Sequence, residues 1–147
     1  MEKLLPWLSI PSRRKPLYHF LPGSKTFSLA LFGCNFTCGF CQNYTISQKE
    51  YRNSFLKEQI KPEKLVQLAL EAGCPSISYT YSEPLVWQEY MIETAILARK
   101  HHLKNIMVTN GSFSLEALQR IVPLMDGFNI DVKGDAQFYT QNLWRVS

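Results

Sequence analysis

Short apolar runs recur along the chain, and they alternate with segments whose apolar residues repeat every three or four positions. The first pattern is typical of buried strands and the second of amphipathic helices. Four strands are predicted, at Thr26–Phe32, Ser76–Tyr81, Asn105–Thr109 and Gly127–Val132. Because strands joined through crossover helices run parallel, the pattern predicts an α/β fold, either an open doubly wound sheet or a (β/α) barrel.

Three helices are predicted between these strands. The first has Pro62 in its first turn and stops at Gly73, the second runs from Pro84 to Lys100 or His101, and the third runs from Ser114 to Val122 with Ser114 as its cap. The expected apolar stripes are Leu65, Leu68, Ala69 and Ala72 on the first helix and Trp87, Met91, Ala95 and Ala98 on the second. These stripes predict helices that pack against the sheet.

Composition is that of a globular protein. With 147 residues, 46% of them hydrophobic and 19% charged, the chain can bury one core. It has no run of about 18 apolar residues and no signal peptide, which predicts a cytoplasmic protein without a membrane partner. The formal net charge is +4, and the single basic triplet, Arg13 to Lys15, is typical of solvated surface, so no nucleic-acid partner is expected.

Polar residues follow each predicted strand. The segments at these positions are the cysteine-containing loop after Phe32, Ser82 to Pro84, Thr109 to Gly111, and Asp131 with Lys133. Both candidate architectures place their chemistry at the carboxyl ends of the strands. The sequence therefore predicts a functional site at that edge of the sheet.

Three of the four cysteines, Cys34, Cys38 and Cys41, fall within eight residues with the spacing CxxxCxxC. A structural zinc site needs four ligands, so zinc would require a distant fourth ligand such as Cys74 or His19. A catalytic iron–sulfur cube needs only three thiolates, since its fourth iron stays open. Cys74, just before a strand, is expected to be a buried and unreactive thiol.

The loop GCNFTCGFCQN, Gly33 to Asn43, resembles the signature loop of the radical S-adenosylmethionine (SAM) superfamily. The resemblance extends along the chain to the segments PLYHFLPGS, CQNYTISQ, YTYSEP, VTNG and NIDVKG. Together they are most similar to the branch related to pyruvate formate-lyase activating enzyme, and within it to the radical enzyme of the AmmeMemoRadiSam system. The fold that this implies is a partial (β/α) barrel.

The resemblance implies a 4Fe-4S cluster on Cys34, Cys38 and Cys41, with SAM chelating the open iron through its amino and carboxylate groups. One electron then cleaves SAM to methionine and a 5′-deoxyadenosyl radical, which abstracts hydrogen from a substrate. An oxidoreductase of this kind needs a reducing electron donor protein. The branch also implies a protein substrate or a system partner.

Six further residues match cofactor-binding positions of the family. Glu83 is similar to the acidic residue that accepts hydrogen bonds from the SAM ammonium, and its alternative role is to start the following helix. By analogy, Phe40 lies beside the adenine. Thr109 and Asn110 match a motif that helps to bind SAM, although Asn-Gly is also a strong turn former.

The last two of the six, Asp131 and Lys133, match an Asp-x-Lys motif. Their spacing predicts that both side chains lie on one face of the fourth strand and share a polar site.

Two departures from the family pattern change these expectations. Val108 stands where pyruvate formate-lyase activating enzyme has an acidic ligand of a monovalent cation, so that cation site is not expected and glycyl-radical activation is a weaker expectation. The chain also ends after four strands, which predicts a shortened protein with residues 1–25 as an N-terminal extension and 26–147 as the radical SAM core. The alternatives to an active enzyme are an inactive cluster-binding remnant and a zinc-binding interaction module.

Overall fold

The computed structural model describes residues 8–9, 17, 19–48 and 60–143. Its five strands are β1 (Leu8–Ser9), β2 (Phe27–Leu29), β3 (Ser76–Tyr79), β4 (Lys104–Thr109) and β5 (Gly127–Ile130). They form one sheet in the order β1-β2-β3-β4-β5. β1 pairs antiparallel with β2, and the other neighbouring pairs are parallel. The prediction of four parallel strands is confirmed, and β1 is an addition to it.

In the described residues five α-helices accompany the sheet. They are α1 (Tyr44–Ser47), α2 (Pro62–Glu71), α3 (Gln88–Lys100), α4 (Leu115–Ile121) and α5 (Ala136–Asn142). Short 3-10 turns at Pro84–Trp87 and Val122–Leu124 precede α3 and follow α4. All three predicted helices are present, and Ser114 caps α4 by accepting the Ala117 N–H at 3.2 Å. The sequence pattern did not predict α1 or α5.

The core lies between the sheet and helices α2 and α3. The two predicted apolar stripes face it, with Leu65, Ala69, Met91 and Ala95 fully buried. Burying a leucine or methionine side chain contributes about 1.5–3 kcal/mol, so these stripes are a major part of the fold's stability. Within the described residues the sheet does not close on itself, consistent with a partial barrel.

Three predicted strands end earlier than their apolar patterns. β3 ends at Tyr79 because Tyr81 has a positive φ of 71°, a left-handed conformation that interrupts a strand. β5 ends at Ile130, so the prediction that Asp131 and Lys133 lie on that strand is wrong. Both residues belong to the loop that follows. β2 is also shorter than predicted and ends at Leu29.

Two other expectations concern the N-terminal part of the chain. The basic triplet Arg13 to Lys15 lies outside the described residues. β1 falls within the predicted extension over residues 1–25, and its pairing with β2 attaches Leu8 and Ser9 to the sheet. No helix in the part of the chain that the structure describes is long and apolar enough to cross a membrane.

Candidate functional site

A cleft of about 340 Å³ opens at the carboxyl edge of the sheet, where the loops after β2, β3, β4 and β5 meet. The nine predicted metal and cofactor ligands all line it: Cys34, Cys38, Phe40, Cys41, Glu83, Thr109, Asn110, Asp131 and Lys133. Parallel strands bring these loops together although the residues are spread over a hundred positions of the chain. The structure therefore brings the nine predicted residues together in one cleft at this edge of the sheet.

Backbone hydrogen bonds hold the cysteine loop against the rest of the sheet. Gly33 has a φ of +111°; its N–H donates to Ile46 O at 2.9 Å, and its carbonyl accepts the Glu83 N–H at 3.2 Å. Phe36 is 2% exposed and makes an edge-to-face contact with Tyr139 at 6.0 Å between ring centroids. The loop is thus anchored at its Gly33 end and by an aromatic side chain beneath it.

The three thiols of the loop are free and half-buried. The Phe36 N–H donates to Cys34 Sγ at 3.4 Å. Burial raises the pKa of both Cys34 and Cys38, and the nearby Lys133 cation acts in the opposite direction on the pKa of Cys38. A bound cation deprotonates a coordinating thiol outright, so the raised pKa values do not prevent the loop from acting as a metal ligand.

The donor set fits a cluster better than a single ion. A single zinc ion draws four ligands to about 2.0–2.3 Å, whereas each thiolate of an iron–sulfur cube binds a different iron. In the described part of the chain no three His, Cys, Asp or Glu side chains converge tightly enough to hold one ion. Three separate thiols around one cleft are the arrangement that a cube with an open iron requires.

The candidate fourth ligands for zinc lie at the opposite, amino-terminal edge of the sheet. Cys74 precedes β3, is 3% exposed and belongs to the core, as predicted for an unreactive thiol. His101 and His102 are exposed and precede β4. His19 is exposed beside Leu17, and a Cβ on Gly127 at the start of β5 would be 3.2 Å from the Leu17 side chain.

Glu83 is a buried carboxylate at the floor of the cleft, only 2% exposed. Its Oε1 accepts hydrogen bonds from the Thr109 hydroxyl at 2.8 Å and the Leu85 N–H at 3.3 Å, and its Oε2 accepts the Asn110 N–H at 2.8 Å. The Leu85 bond caps the 3-10 turn, so the helix-starting role is present. Each carboxylate oxygen can accept about two hydrogen bonds, and Oε2 therefore keeps capacity for a donor from the cleft.

Burial raises the pKa of Glu83, and the negative charge of Asp131 adds to that effect. The hydrogen bonds from Asn110, Thr109 and Leu85 oppose it by stabilising the charged form. A buried carboxylate with free acceptor capacity is best stabilised by a cation. A cationic ligand group entering the cleft would satisfy this requirement.

Aromatic side chains border the cleft. Phe40 is 52% exposed and packs against Phe138 with 5.8 Å between ring centroids. Tyr81 lines the same cavity, and its carbonyl accepts a hydrogen bond from the Asn43 side chain at 2.9 Å. Exposed rings of this kind can stack on a heteroaromatic base.

Asp131 and Lys133 meet although they lie beyond the strand. The Lys133 Nζ is 2.8 Å from Asp131 Oδ2, and the Lys133 N–H donates to the Tyr139 hydroxyl at 3.1 Å. The Asn129 side chain donates to Asp131 Oδ1 at 3.3 Å. This ion pair adds both a positive and a negative group to the cleft wall.

Several residues that line the cleft were not predicted from the sequence, Asn43 and Tyr81 among them, and neither was Asn35 beside Cys34. The two asparagines lie in the motif GCNFTCGFCQN and Tyr81 lies in YTYSEP, so the sequence shows their positions but not their contacts. Their partners lie on other loops. The signal that could have found Tyr81 is its position two residues before Glu83.

Comparison with known proteins agrees with this geometry. Residues 30–146 match the radical SAM superfamily. The chain is 44% identical over 129 residues to the uncharacterized protein MJ0808 of Methanocaldococcus jannaschii, a match that covers 88% of this chain and 38% of that protein. The chain thus spans well under half of the length of this relative. From the match over residues 30–146, the chain belongs to the radical SAM superfamily, whose enzymes use a 4Fe-4S cluster and S-adenosylmethionine.

Proposed function

We propose that Cys34, Cys38 and Cys41 hold a 4Fe-4S cluster, that the cleft beside them binds SAM, and that the chain cleaves SAM reductively to a 5′-deoxyadenosyl radical in the cytosol. The observation that supports this most strongly is the cleft itself. It brings three free thiols and the buried Glu83 carboxylate to one cavity from loops that are distant in sequence.

When bound, the cluster supplies one electron to the sulfonium of SAM and so starts radical chemistry. The chain's residues provide binding and orientation. Glu83 accepts a hydrogen bond from the ammonium of SAM at Oε2, a charge-assisted bond that also neutralises its buried charge. Thr109 holds the other oxygen of Glu83 in place.

The remaining walls of the cleft suit the other parts of SAM. In this proposal Phe40 and Tyr81 contact the adenosine and the Lys133 cation attracts the carboxylate of SAM, and all three residues line the cleft. The ion pair with Asp131 restrains the Lys133 ammonium at the cleft wall. Asp131 is also available to accept hydrogen bonds from ribose hydroxyls.

We further propose that the chain belongs to the branch related to pyruvate formate-lyase activating enzyme, closest to the AmmeMemoRadiSam radical enzyme, and that it acts on a protein substrate or with a system partner. The motifs YTYSEP, VTNG and NIDVKG support this, and their residues meet at the cleft. A reducing electron donor protein is required. Val108 in place of an acidic cation ligand argues against glycyl-radical activation as the specific reaction.

The decisive experiment is anaerobic reconstitution of the chain with iron and sulfide. About four irons per chain and formation of 5′-deoxyadenosine from SAM after reduction are the expected results. The matched variants are Cys38→Ala, expected to lose both, and Cys74→Ala, expected to keep both because Cys74 lies in the core.

The alternatives give different results in the same experiment. Four irons without SAM cleavage would indicate a cluster-binding remnant. Zinc bound without sulfide, or iron content unchanged by Cys38→Ala, would reject the proposed cluster site.

A further inference from the structure

A hydrogen-bond network ties the first cysteine of the loop to the end of β4. The Asn110 Nδ2 donates to Asn35 Oδ1 at 2.7 Å, and the Asn35 Nδ2 donates to Ser112 O at 3.0 Å. The Ser112 N–H in turn donates to Asn110 Oδ1 at 2.9 Å. Asn35 and Asn110 are therefore joined directly and through the Ser112 backbone, and this link between the cysteine loop and the β4 loop is here called the asparagine latch.

The same amide nitrogen reaches a cluster ligand. Asn110 Nδ2 lies 3.9 Å from Cys34 Sγ, within hydrogen-bonding distance for sulfur. Its two N–H groups are thus directed to Asn35 and Cys34, while Oδ1 accepts from Ser112. The donors of the Asn110 side chain are fully engaged, so this side chain has no N–H left for SAM.

The backbone of Asn110 makes a second connection. Its N–H donates to Glu83 Oε2 at 2.8 Å, the oxygen with capacity for a further donor. One residue therefore contacts both the Cys34 sulfur and the Glu83 carboxylate.

We propose that Asn110, held by Asn35, is a positioning residue that fixes Cys34 relative to Glu83 and raises the reduction potential of the bound cluster through its N–H···S contact. This inference rests on the proposed cluster on Cys34, Cys38 and Cys41. It changes the expected role of Asn110, whose side chain acts on the cluster side of the cleft and reaches SAM only through Glu83.

The direction of the potential shift follows from charge. Reduction adds negative charge to the cluster and its sulfurs, and a hydrogen-bond donor stabilises that charge. Losing the Asn110 donor disfavours the reduced state. Loss of Asn35 should also lower the reduction potential of the cluster, because it removes the acceptor that orients the Asn110 amide.

The test compares Asn35→Ala, Asn110→Ala and the double variant in the reconstituted chain. At a fixed solution potential we expect each single variant to lower the ratio of reduced to oxidised cluster about tenfold, a shift of about 59 mV for one electron. The double variant should be no lower than Asn110→Ala, because residues that act as a unit are not additive. Ser112→Ala is the matched control, since Ser112 joins the network through its backbone.

A second measurement needs no cluster. In the metal-free chain, hydrogen exchange of the amides over residues 33–37 should be faster in both asparagine variants and unchanged in Ser112→Ala. A merely structural role for Asn110 would accelerate exchange without moving the potential of an assembled cluster. That result, or additive shifts in the double variant, would overturn the proposal.

The outcomes separate this inference from the proposed function. If the wild-type chain takes up no cluster, the proposed function fails while hydrogen exchange still tests the latch. If Asn110→Ala fails to assemble a cluster, Asn35→Ala decides, because Asn35 is exposed and its loss leaves the core intact.

Discussion

Two asparagines lie near the two ends of strand β4, Asn105 close to its start and Asn110 directly after its end. Their surroundings are opposite in character. Asn105 is fully buried; its side chain accepts from the Tyr79 hydroxyl at 3.0 Å and donates to the carbonyls of Ala95 and Leu124. Asn110 is half-buried and contacts the cysteine loop from within the wall of an open cleft.

The contrast shows which polar residues build the fold and which form the site. The partners of Asn105 belong to the sheet and to the helical segments packed on it, so its network is closed within the scaffold. The partners of Asn110 include a cysteine and the Glu83 carboxylate, both of which retain capacity for a ligand. The location of the hydrogen-bond partners therefore distinguishes a structural asparagine from a site asparagine better than the residue type does.

The largest effect is expected at the structural asparagine. Asn105→Ala leaves the Tyr79 hydroxyl and two backbone carbonyls without their partner in a buried region, and we expect a loss of about 3 kcal/mol in the free energy of unfolding. Urea denaturation of the metal-free chain measures it. Asn110→Ala is the comparison and should cost no more than about 1 kcal/mol. Equal losses in the two variants would remove the distinction between the two networks.

A somewhat smaller loss is expected next to the first cysteine. Gly33→Ala places a Cβ 2.9 Å from Val86 Cγ1 at a φ of +111°, so both strain and overlap oppose it. We expect about 2 kcal/mol of destabilisation together with lower iron content. Gly23→Ala is the control, because Gly23 also has a positive φ but an added Cβ meets no atom within 4 Å. Iron content unchanged in Gly33→Ala would contradict a close coupling of this turn to Cys34.

The next effect concerns ligand binding. Glu83→Gln removes the charge that holds the SAM ammonium, and a hydrogen bond to a charged group contributes about 1.5–3 kcal/mol, so SAM should bind at least tenfold more weakly to the reconstituted chain. Calorimetry measures the change. The control is Glu89→Gln, since Glu89 is an exposed glutamate on α3. Unchanged affinity in Glu83→Gln would refute the ammonium contact.

Glu83 also predicts a pH dependence in the metal-free chain. Its pKa is raised by burial above the ordinary 4.5, so the folded chain keeps this proton to higher pH than the unfolded chain does. The contribution to stability is therefore present below pH 4.5 and is lost as the pH rises through the raised pKa. Urea midpoints of the wild type and Glu83→Gln should diverge over this window. A wild type that gains stability relative to the variant there would show the opposite sign.

The smallest effect is expected at Tyr81. Its positive φ of 71° costs a non-glycine residue about 1–2 kcal/mol, and Tyr81→Gly relieves this at an entropic cost of about 0.5–1 kcal/mol. The free energy of unfolding should therefore change by less than about 1 kcal/mol after the lost ring contacts are included. Thermal unfolding measures it, and SAM affinity should fall because the ring lines the cleft. A large loss of stability without a change in affinity would make Tyr81 a structural residue.

Periodicity predicted the scaffold well because burial on one face determines it. The stripes of α2 and α3 and all four parallel strands were visible in the spacing of apolar residues. Strand ends were less predictable, since aromatic and branched residues such as Tyr81 and Val132 extend the pattern beyond the paired segment. Helix α5 has only seven residues, too few for a clear periodic pattern, and its Asp135 cap, which accepts the Phe138 N–H at 2.8 Å, was the available signal.

The sequence predicted many residues of the site but not the hydrogen bonds that connect them. The cysteine spacing and the polar strand ends located nine residues of the cleft, but not Asn43 or Tyr81. The contact between Asn35 and Asn110 joins residues 75 positions apart, and neither spacing nor composition specifies such a pair. Likewise, only the fold shows that Glu83 is buried while one of its oxygens keeps acceptor capacity.

The central claim is that the cysteine loop carries a cluster whose open iron faces the SAM cleft. Electron paramagnetic resonance of the reduced, reconstituted chain tests it directly when spectra are compared with and without SAM. We predict the signal of a reduced 4Fe-4S cluster whose spectrum changes when SAM is added, with no such signal in Cys38→Ala. A cluster spectrum that is identical with and without saturating SAM would contradict the claim.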